Sequence, residues 1–290
     1  MVINETYKLS NGIEIPKIGL GTWFINDGKV AGVIKNAVSV GYRLIDTAFA
    51  YGNEKGVGKG VRNCGLPREE IFVTTKLHAD VKTYEEAKQH INNQLEKLGL
   101  DYIDLYIIHA PQPWRKWRNK EQRYFKENVE VWKALEESYK EGKLKAIGVS
   151  NFLIDDLQNI LDNCEIKPMV NQILNHVGST PTELINFCKD NDILVQSYAP
   201  LGHGKAIDNK EVKAIAEKYG VSVSRLCMGY VVQMGTSAIP KTTNIEHMKS
   251  NADIDFNISD EDMEKLRNIN FKGYGLRMRM MPVFSGKTIK

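Results

Sequence analysis

The chain has 290 residues, of which 42% are hydrophobic and 26% are charged, so it can bury a large core like an ordinary globular protein. Its net charge of +3 is too small to indicate a nucleic-acid binder, and no apolar run is long enough to cross a bilayer. The first six residues lack the basic start and apolar core of a signal peptide. Four widely spaced cysteines match no metal-binding pattern, which favours a reducing compartment and a cytoplasmic location.

The first predicted element is a β-hairpin over residues 6–16, because Asn11 and Gly12 stand between two alternating flanks. Short apolar segments then alternate with segments of helical periodicity. Eight of the apolar segments predict strands, at residues 18–20, 42–45, 71–75, 103–108, 144–149, 168–170, 193–196 and 236–240. Their nearly continuous apolar character is typical of parallel strands that are covered on both faces.

Helical periodicity is clearest over residues 84–98, 129–139, 212–219 and 223–231. Eight parallel strands with helical crossovers predict one α/β domain over residues 1–290, a (β/α)8 TIM barrel. A doubly wound open sheet is the alternative, but no strand near the start leads into Gly-x-Gly-x-x-Gly. Gly56, Gly58 and Gly60 fall inside a predicted helix, and we interpret them as residues that pack this helix on the barrel, not as a phosphate loop.

Polar or ionisable residues stand at the ends of seven predicted strands. They are Asp46, Lys76, His109, Ser150 with Asn151, Asn171 with Gln172, Ser197 with Tyr198, and Lys241 with Thr242. Tyr51 follows Asp46 by five residues, in a loop short enough to fold back over the same strand end. The next helix is predicted to begin at Glu54 with Asn53 as its cap. Parallel strands carry their active sites at this end, so we expect these side chains to form one site.

Asp46, Tyr51, Lys76 and His109 together suit a proton donor. A tyrosine has a reference pKa of about 10 and is a poor donor at neutral pH. We expect the Lys76 ammonium to lower the pKa of Tyr51, with Asp46 keeping the ammonium charged and in position. A neutral His109 imidazole can orient a substrate carbonyl by donating a hydrogen bond. This set suits an oxygen that becomes an alkoxide, and the later strands leave room for a large polar cofactor.

Three stretches resemble the signatures of the aldo-keto reductase family. They are residues 41–58, with Asp-Thr-Ala followed by Tyr and Asn-Glu, residues 145–152, Lys-Ala-Ile-Gly-Val-Ser-Asn-Phe, and residues 239–251. With Thr-Lys at 75–76 and Ile-His at 108–109, the resemblance covers essentially the whole chain. The general layout is similar to bacterial members of the 2,5-diketo-D-gluconate reductase type, which reduce small keto sugars and other carbonyl compounds.

The resemblance implies an NADP-dependent enzyme that reversibly reduces aldehydes or ketones to alcohols by direct hydride transfer, without a metal. It implies that Tyr51 is the general acid, that Lys76 and Asp46 tune it, and that His109 positions the carbonyl. The implied cofactor contacts are Ser150, Asn151 and Gln172 at the carboxamide, Tyr198 at the nicotinamide ring, the loop that begins at Leu201 over the diphosphate, Lys241 and Thr242 at the 2′-phosphate, and Asn251 at the adenine.

Two positions depart from the family pattern. His247 stands where the family has an arginine that stacks on the adenine and pairs with the 2′-phosphate. A histidine is only partly charged at neutral pH and offers no bidentate fork, so we expect NADPH to be preferred through Lys241, with NADH as a second cofactor. Ala110 stands where many animal members carry a tryptophan in the substrate pocket, so their substrate preferences are not carried over.

The substrate pocket is predicted to include Trp23 after the first strand and Trp114, beside Tyr51 and His109. Residues 112–126 carry six Lys or Arg against one Glu, and the tail at 271–290 carries five basic residues and no acidic one. We hypothesise that the tail lies over the active-site face, meets this loop there, and favours anionic or polar carbonyl substrates. The alternative is a solvated charged loop and a frayed tail.

Two other function classes stay open at the sequence level. A barrel aldolase would use Lys76 as a Schiff-base nucleophile, but the polar residues at the ends of the later strands would then have no role in the reaction. A regulatory subunit would bind the cofactor without turnover, like the channel-associated relatives of this family. The expected partner is a small carbonyl compound, and we expect a monomer or a weak homo-oligomer that binds neither nucleic acid nor membrane.

Overall fold

The computed structural model describes residues 2–271 and 273–286. A hairpin of β1 (Thr6–Lys8) and β2 (Glu14–Pro16) precedes the main sheet, with Thr6 opposite Pro16. Gly12 in its turn has a φ of 89°, a left-handed conformation that glycine adopts without steric cost. The predicted hairpin is therefore confirmed.

Eight parallel strands follow, each hydrogen-bonded to the next one along the chain. They are β3 (Gly19–Gly21), β4 (Leu44–Asp46), β5 (Phe72–Leu77), β6 (Ile103–Ile108), β7 (Leu144–Ser150), β8 (Val170–Leu174), β9 (Leu194–Tyr198) and β10 (Ser237–Ile239). The sheet closes on itself, because Ala238 N donates to Lys17 O at 2.8 Å and Gly21 N donates to Pro240 O at 3.0 Å. The predicted (β/α)8 barrel is confirmed, and the open-sheet alternative is wrong.

Helices lie between the strands of the barrel, and further helices follow the last strand. They are α1 (Asp27–Ser39), α2 (Glu54–Arg62), α3 (Tyr84–Leu98), α4 (Phe125–Lys140), α5 (Ile154–Leu161), α6 (Thr182–Asp190), α7 (Lys205–Asp208), α8 (Lys210–Lys218), α9 (Val223–Gln233), α10 (Ile245–Ala252), α11 (Asp260–Asn268) and α12 (Leu276–Arg279). Helix α3 shows the local cause: the Thr83 side chain accepts from Glu86 N at its start, and Gly99 ends it at a φ of 62°. Over the described ranges, no helix combines the length and apolar character that a membrane span requires.

Helix α2 lies in very close contact with α1 and α3. A Cβ atom at Gly56 would lie 2.1 Å from Asp27 O, and one at Gly58 would lie 1.8 Å from Leu98 O. The glycines are therefore a packing face as expected, but they pack on the helices α1 and α3 and not on the barrel strands. The expected side-chain cap is wrong, because Asn53 does not cap α2 with its amide.

Asn53 instead holds the neighbouring loops. Its side-chain Nδ2 donates to Thr22 O and Ile25 O, each at 3.0 Å, and its Oδ1 accepts from Thr47 Oγ1 at 2.7 Å. The start of α2 receives its acceptor from another helix, since Asp27 Oδ1 accepts from Gly56 N at 2.7 Å. A sequence pattern that compares only neighbours along the chain does not contain these contacts.

Gly58→Ala is expected to lower the free energy of unfolding by about 3 kcal/mol or more, because the clash is with rigid backbone and overpacking typically costs about 1–3 kcal/mol. Gly32→Ala in α1 is the matched control. No atom lies within 4 Å of its new Cβ, so it should gain about 0.5–1 kcal/mol from helix propensity. Urea unfolding of both variants tests this, and a Gly58→Ala protein as stable as the parent would contradict the close approach of α2 and α3.

Candidate active site

A cleft of about 390 Å³ lies at the carboxyl ends of the barrel strands. Most of the sequence-predicted site residues line it: Trp23, Asp46, Tyr51, His109, Trp114, Ser150, Asn151, Gln172, Tyr198 and Lys241. Lys76 is fully buried and bonds to Asp46 from within the barrel. Leu201, Thr242, His247 and Asn251 are not among the lining residues. The expectation that strand-end side chains form one site is thus met for the predicted residues nearest the barrel axis.

Asp46 and Lys76 form a buried ion pair on the neighbouring strands β4 and β5. Lys76 Nζ lies 2.7 Å from both carboxylate oxygens of Asp46 and donates to Thr47 O at 2.7 Å. Gln172 Nε2 also donates to Asp46 Oδ1 at 2.8 Å. Burial raises the pKa of Asp46 and lowers the pKa of Lys76, and the attraction within the pair opposes both shifts.

Tyr51 lies in a short 3-10 turn above this pair. Lys76 Nζ is 5.0 Å from the centroid of its ring, and the ring of His109 is 5.9 Å away. Burial raises the pKa of Tyr51 well above its ordinary value, and the charges of Asp46 and Tyr198 raise it further. The expected net lowering of this pKa is therefore wrong, because burial in the cleft and the charge of Asp46 outweigh the stabilisation of a phenolate by Lys76. Tyr51 keeps its proton at neutral pH.

His109 directly follows β6 and is a neutral imidazole. Burial lowers its pKa well below the ordinary value, and the charges of Lys76 and His78 lower it further. Its Nδ1 atom is buried and has no hydrogen-bond partner among the described residues. The ring of Trp114 packs edge-on against it at 5.0 Å. The expected neutral imidazole is confirmed, and one ring nitrogen can donate to a ligand in the cleft.

Amide and hydroxyl groups of three strands form a connected network on the next part of the wall. Asn151 Nδ2 donates to His109 O at 3.0 Å, and Tyr198 Oη donates to Asn151 Oδ1 at 2.7 Å. Gln172 Nε2 donates to Asp46 and Gln196, while its Oε1 accepts no hydrogen bond from the residues described. Uncharged donors and acceptors of this kind fit the carboxamide of a nicotinamide, so the implied cofactor suits this wall.

The outer end of the cleft is positively polarised. Lys241 follows β10 and is exposed on the cleft wall, and α10 begins four residues later. Thr242 Oγ1 accepts from Asn244 N, whose side chain caps α10. His247 is exposed in the first turn of α10, and Asn251 is buried near its end. A lysine beside a helix N-terminus fits the phosphate of a nucleotide.

Aromatic side chains and the tail form the cleft mouth. Residues 281–284 line the cleft, and the Phe284 ring stacks on Trp23 at 6.0 Å and meets His203 edge-on at 4.3 Å. Trp114 and Val283 pack against one buried apolar cluster, so the loop and the tail meet as expected. Lys272 and residues 287–290, which belong to the basic tail in the sequence, lie outside the described residues, as does the side chain of residue 277.

The basic side chains of the loop at 112–126 lie outside the cleft lining, although the Arg118 charge interacts with Tyr198 of the cleft wall. Arg123 pairs with Asp155 at 2.5 Å and Asp156 at 2.8 Å, and the Arg118 guanidinium lies 4.4 Å from the Trp117 ring centroid. Within the part of the chain that the structure describes, none of the loop's basic side chains lines the cleft. Any effect of this loop on anionic substrates would therefore act through the long-range field, and that preference stays a prediction.

The sequence analysis did not name His203 or Ile239 for the cleft wall, and it expected the tail there without identifying residues 281–284. It named Leu201 for the same loop, but Leu201 packs on the core, and the loop continues as a 3-10 turn (Gly202–Gly204) and α7. The Gly-His-Gly sequence at 202–204 was the available signal, because glycines allow the sharp turn that brings His203 to the cleft.

The Aldo/keto reductase family model matches residues 17–270. The glyoxal reductase of Bacillus subtilis (strain 168) is 41% identical over 270 residues, which are 92% of this chain and 94% of the relative. The solved aldo/keto reductase of Brucella melitensis has a TM-score of 0.85 and 36% identity, over 92% of this chain and 97% of that one. A Bombyx mori aldo-keto reductase solved in complex with NADP has a TM-score of 0.82 and 30% identity, over 92% of each chain. With its barrel and its cleft, this protein belongs to the aldo/keto reductase family of oxidoreductases.

Proposed function

We propose that this protein reduces aldehydes or ketones to alcohols with NADPH, with Tyr51 as the proton donor. The observation that carries the proposal is a phenol in the cleft, above the buried Asp46–Lys76 pair and with its ring centroid 5.9 Å from that of His109. Membership of the family and the NADP complex of a similar structure support the choice of cofactor.

When bound, NADPH supplies a hydride to the carbonyl carbon. The neutral His109 ring donates a hydrogen bond that orients the carbonyl oxygen. Tyr51 then transfers its hydroxyl proton to that oxygen as negative charge develops there, and a proton transfer of this kind contributes about 10²–10⁴-fold to a rate. The Lys76 ammonium, 5.0 Å from the ring centroid, offsets the charge left on the phenolate, and Asp46 holds the ammonium in place.

The proposed cofactor contacts follow the wall of the cleft. The carboxamide would bind Ser150, Asn151 and Gln172, and the nicotinamide ring would pack on Tyr198. The remaining contacts, proposed from the family resemblance, are the loop beginning at Leu201 with the diphosphate, Lys241 and Thr242 with the 2′-phosphate, and His247 and Asn251 with the adenosine.

The proposed substrates are small carbonyl compounds. Three aromatic rings, those of Trp23, Trp114 and Phe284, narrow a cleft of about 390 Å³, and the B. subtilis relative is named a glyoxal reductase. We extend the proposal to a cytoplasmic location, which four free cysteines support, and to a monomer or weak homo-oligomer. The aldolase alternative is disfavoured, because Lys76 Nζ is fully buried and makes three contacts of 2.7 Å.

The direct test is the loss of reduced-nicotinamide absorbance over a panel of aldehydes, ketones and keto acids, with NADPH and NADH in parallel. Turnover on small aldehydes, faster with NADPH, is the expected result. Tight NADPH binding without turnover on any substrate would contradict the proposal and favour the regulatory class. Borohydride trapping of a substrate on Lys76 would favour the aldolase.

His247→Arg is expected to lower the KM for NADPH about tenfold and to leave the KM for NADH nearly unchanged. The arginine adds a charge-assisted hydrogen bond, worth about 1.5–3 kcal/mol, that only the 2′-phosphate can accept. Asn257→Arg, at an exposed position outside the cleft lining, is the control for added charge. An equal change in both KM values would show that residue 247 does not contact the 2′-phosphate.

A further inference from the structure

Glu54, the first residue of α2, is a buried carboxylate without an ion pair in the described part of the chain. It is 3% exposed, and its Oε1 accepts from Thr75 Oγ1 at 2.7 Å and from Gln94 Nε2 at 2.6 Å. Burying a charge costs several kcal/mol unless nearby groups compensate for it. A glutamine in its place could accept both hydrogen bonds through its own Oε1. The two hydrogen bonds therefore do not explain why an acid, and not an amide, stands at this position.

The hydrogen-bond network around Glu54 leads to Lys76. Gln94 Nε2 donates to Lys76 O at 3.2 Å, and Tyr106 Oη donates to Gln94 Oε1 at 2.5 Å. Thr75 and Lys76 are neighbours on β5, so their side chains point to opposite faces of the strand. Lys76 points into the barrel toward Asp46, and Glu54 meets Thr75 on the outer face. Two acidic side chains thus lie on opposite sides of β5 at this point: Asp46 contacts Lys76 on the inner face, and Glu54 contacts Thr75 on the outer face.

Among the residues described, two cations interact with the Glu54 carboxylate. They are Lys97 from α3 and, more weakly, Lys76 from β5, and the Tyr106 hydroxyl faces it from β6. Burial raises the pKa of Glu54, while the hydrogen bonds from Gln94 and Thr75 lower it. Burial lowers the pKa of Lys76, and the negative charges of Asp46 and Glu54 oppose that shift.

We propose that Glu54 is a positioning residue for carbonyl reduction, whose buried carboxylate keeps the Lys76 ammonium charged and in place beneath Tyr51 from behind strand β5. The inference rests on the proposed function, since it assigns Glu54 a task only through Lys76. It also explains why a charged residue stands where an amide would satisfy the same hydrogen bonds.

Glu54→Gln removes the charge and keeps the acceptor. We expect kcat to fall about tenfold with the KM for substrate nearly unchanged, and the alkaline limb of the kcat profile to move about one unit toward lower pH, because Lys76 loses its proton earlier. Glu96→Gln, which removes an exposed carboxylate from α3, should leave the profile in place. Thr75→Val removes a hydrogen bond and keeps the charge. If Thr75→Val and Glu54→Gln shift the profile equally, the role of Glu54 is structural and the proposal fails.

The second measurement does not depend on activity. In protein labelled with ¹³C-lysine, the Lys76 Cε resonance, assigned with Lys76→Met, reports the protonation of Lys76 directly. Its midpoint should lie at lower pH in Glu54→Gln than in the parent, and an unchanged midpoint would overturn the inference. A shifted midpoint in a protein without turnover would instead contradict the proposed function. If Glu54→Gln does not fold, Thr75→Val replaces it, because loss of the hydrogen bond from Thr75 raises the pKa of Glu54. The Lys76 resonance should then respond to the titration of Glu54 at a higher pH than in the parent. A Lys76 resonance that does not respond to this titration would overturn the inference.

Discussion

Tyr51→Phe is expected to reduce kcat by about 10²–10⁴-fold, which is the usual contribution of a positioned acid. The change removes one oxygen and the proton that it carries, while Asp46, Lys76 and His109 keep their mutual contacts. NADPH binding, followed by the quenching of tryptophan fluorescence in the cleft, should change less than twofold because the ring remains. Stopped-flow and steady-state measurements with a small aldehyde give both quantities.

Tyr7→Phe is the matched control for this result. The Tyr7 hydroxyl donates to Val232 O, in a contact between the N-terminal hairpin and the end of α9. Its loss should cost about 1 kcal/mol of stability and leave kcat unchanged. A Tyr51→Phe enzyme that keeps more than a tenth of the parent kcat would remove Tyr51 from the role of proton donor.

Lys76→Met is expected to lower the free energy of unfolding by about 3–5 kcal/mol at pH 7, because it leaves the Asp46 carboxylate buried without a cation. The pH dependence has a definite sign. Burial raises the pKa of Asp46 in the folded protein above its unfolded value, so without Lys76 the folded state binds an extra proton as the pH falls. The deficit relative to the parent should therefore shrink from pH 7 toward acidic pH in urea unfolding experiments.

Lys82→Met tests whether any buried lysine would give the same loss. Among the described residues, the hydrogen-bond acceptors of Lys82 Nζ are neutral, Ala110 O at 3.2 Å and Asn128 Oδ1 at 2.9 Å, and burial lowers its pKa to about 7. Removing it leaves no buried charge without its partner, so Lys82→Met should lower the free energy of unfolding much less than Lys76→Met does. The double change Asp46→Asn with Lys76→Met should recover part of the loss. Equal costs for Lys76→Met and Lys82→Met would contradict the ion-pair argument.

Most of the fold could be predicted because the barrel repeats one local pattern. Residues 103–108 were predicted as a strand with the correct bounds, but other boundaries could not be predicted, since they depend on contacts across the barrel. Residues 168–170 were predicted as a strand, but β8 spans Val170–Leu174 and includes Asn171 and Gln172. These polar residues stay in the strand because their amides are buried and hydrogen-bonded, Gln172 to Asp46 and Gln196. The single-domain organisation over residues 1–290 stays a prediction.

Prediction of the site from the sequence was limited in the same way, by contacts that form only in the assembled barrel. Asp46, Tyr51, Lys76 and His109 could be placed together because strand ends meet at one face of a barrel. The direction of the Tyr51 pKa shift could not be predicted, because it depends on burial that only the assembled cleft provides. Phe284, which lies more than 200 residues from Tyr51 in sequence, forms part of that cleft. Glu54 belongs to a recognisable sequence motif, but its contact with Gln94 joins two helices and could not be predicted from that motif.

The glycine face of α2 has a consequence for how the enzyme gains its activity during folding. A nine-residue helix with three glycines has little tendency to form alone, since short helices are marginal in water and each glycine costs about 1 kcal/mol relative to alanine. The segment becomes helical only against α1 and α3. Tyr51 lies three residues before its first residue, so the proposed proton donor is ordered only when its neighbours have assembled. We therefore expect a partly folded chain to be inactive, so the turnover recovered after refolding measures the fraction of fully native molecules.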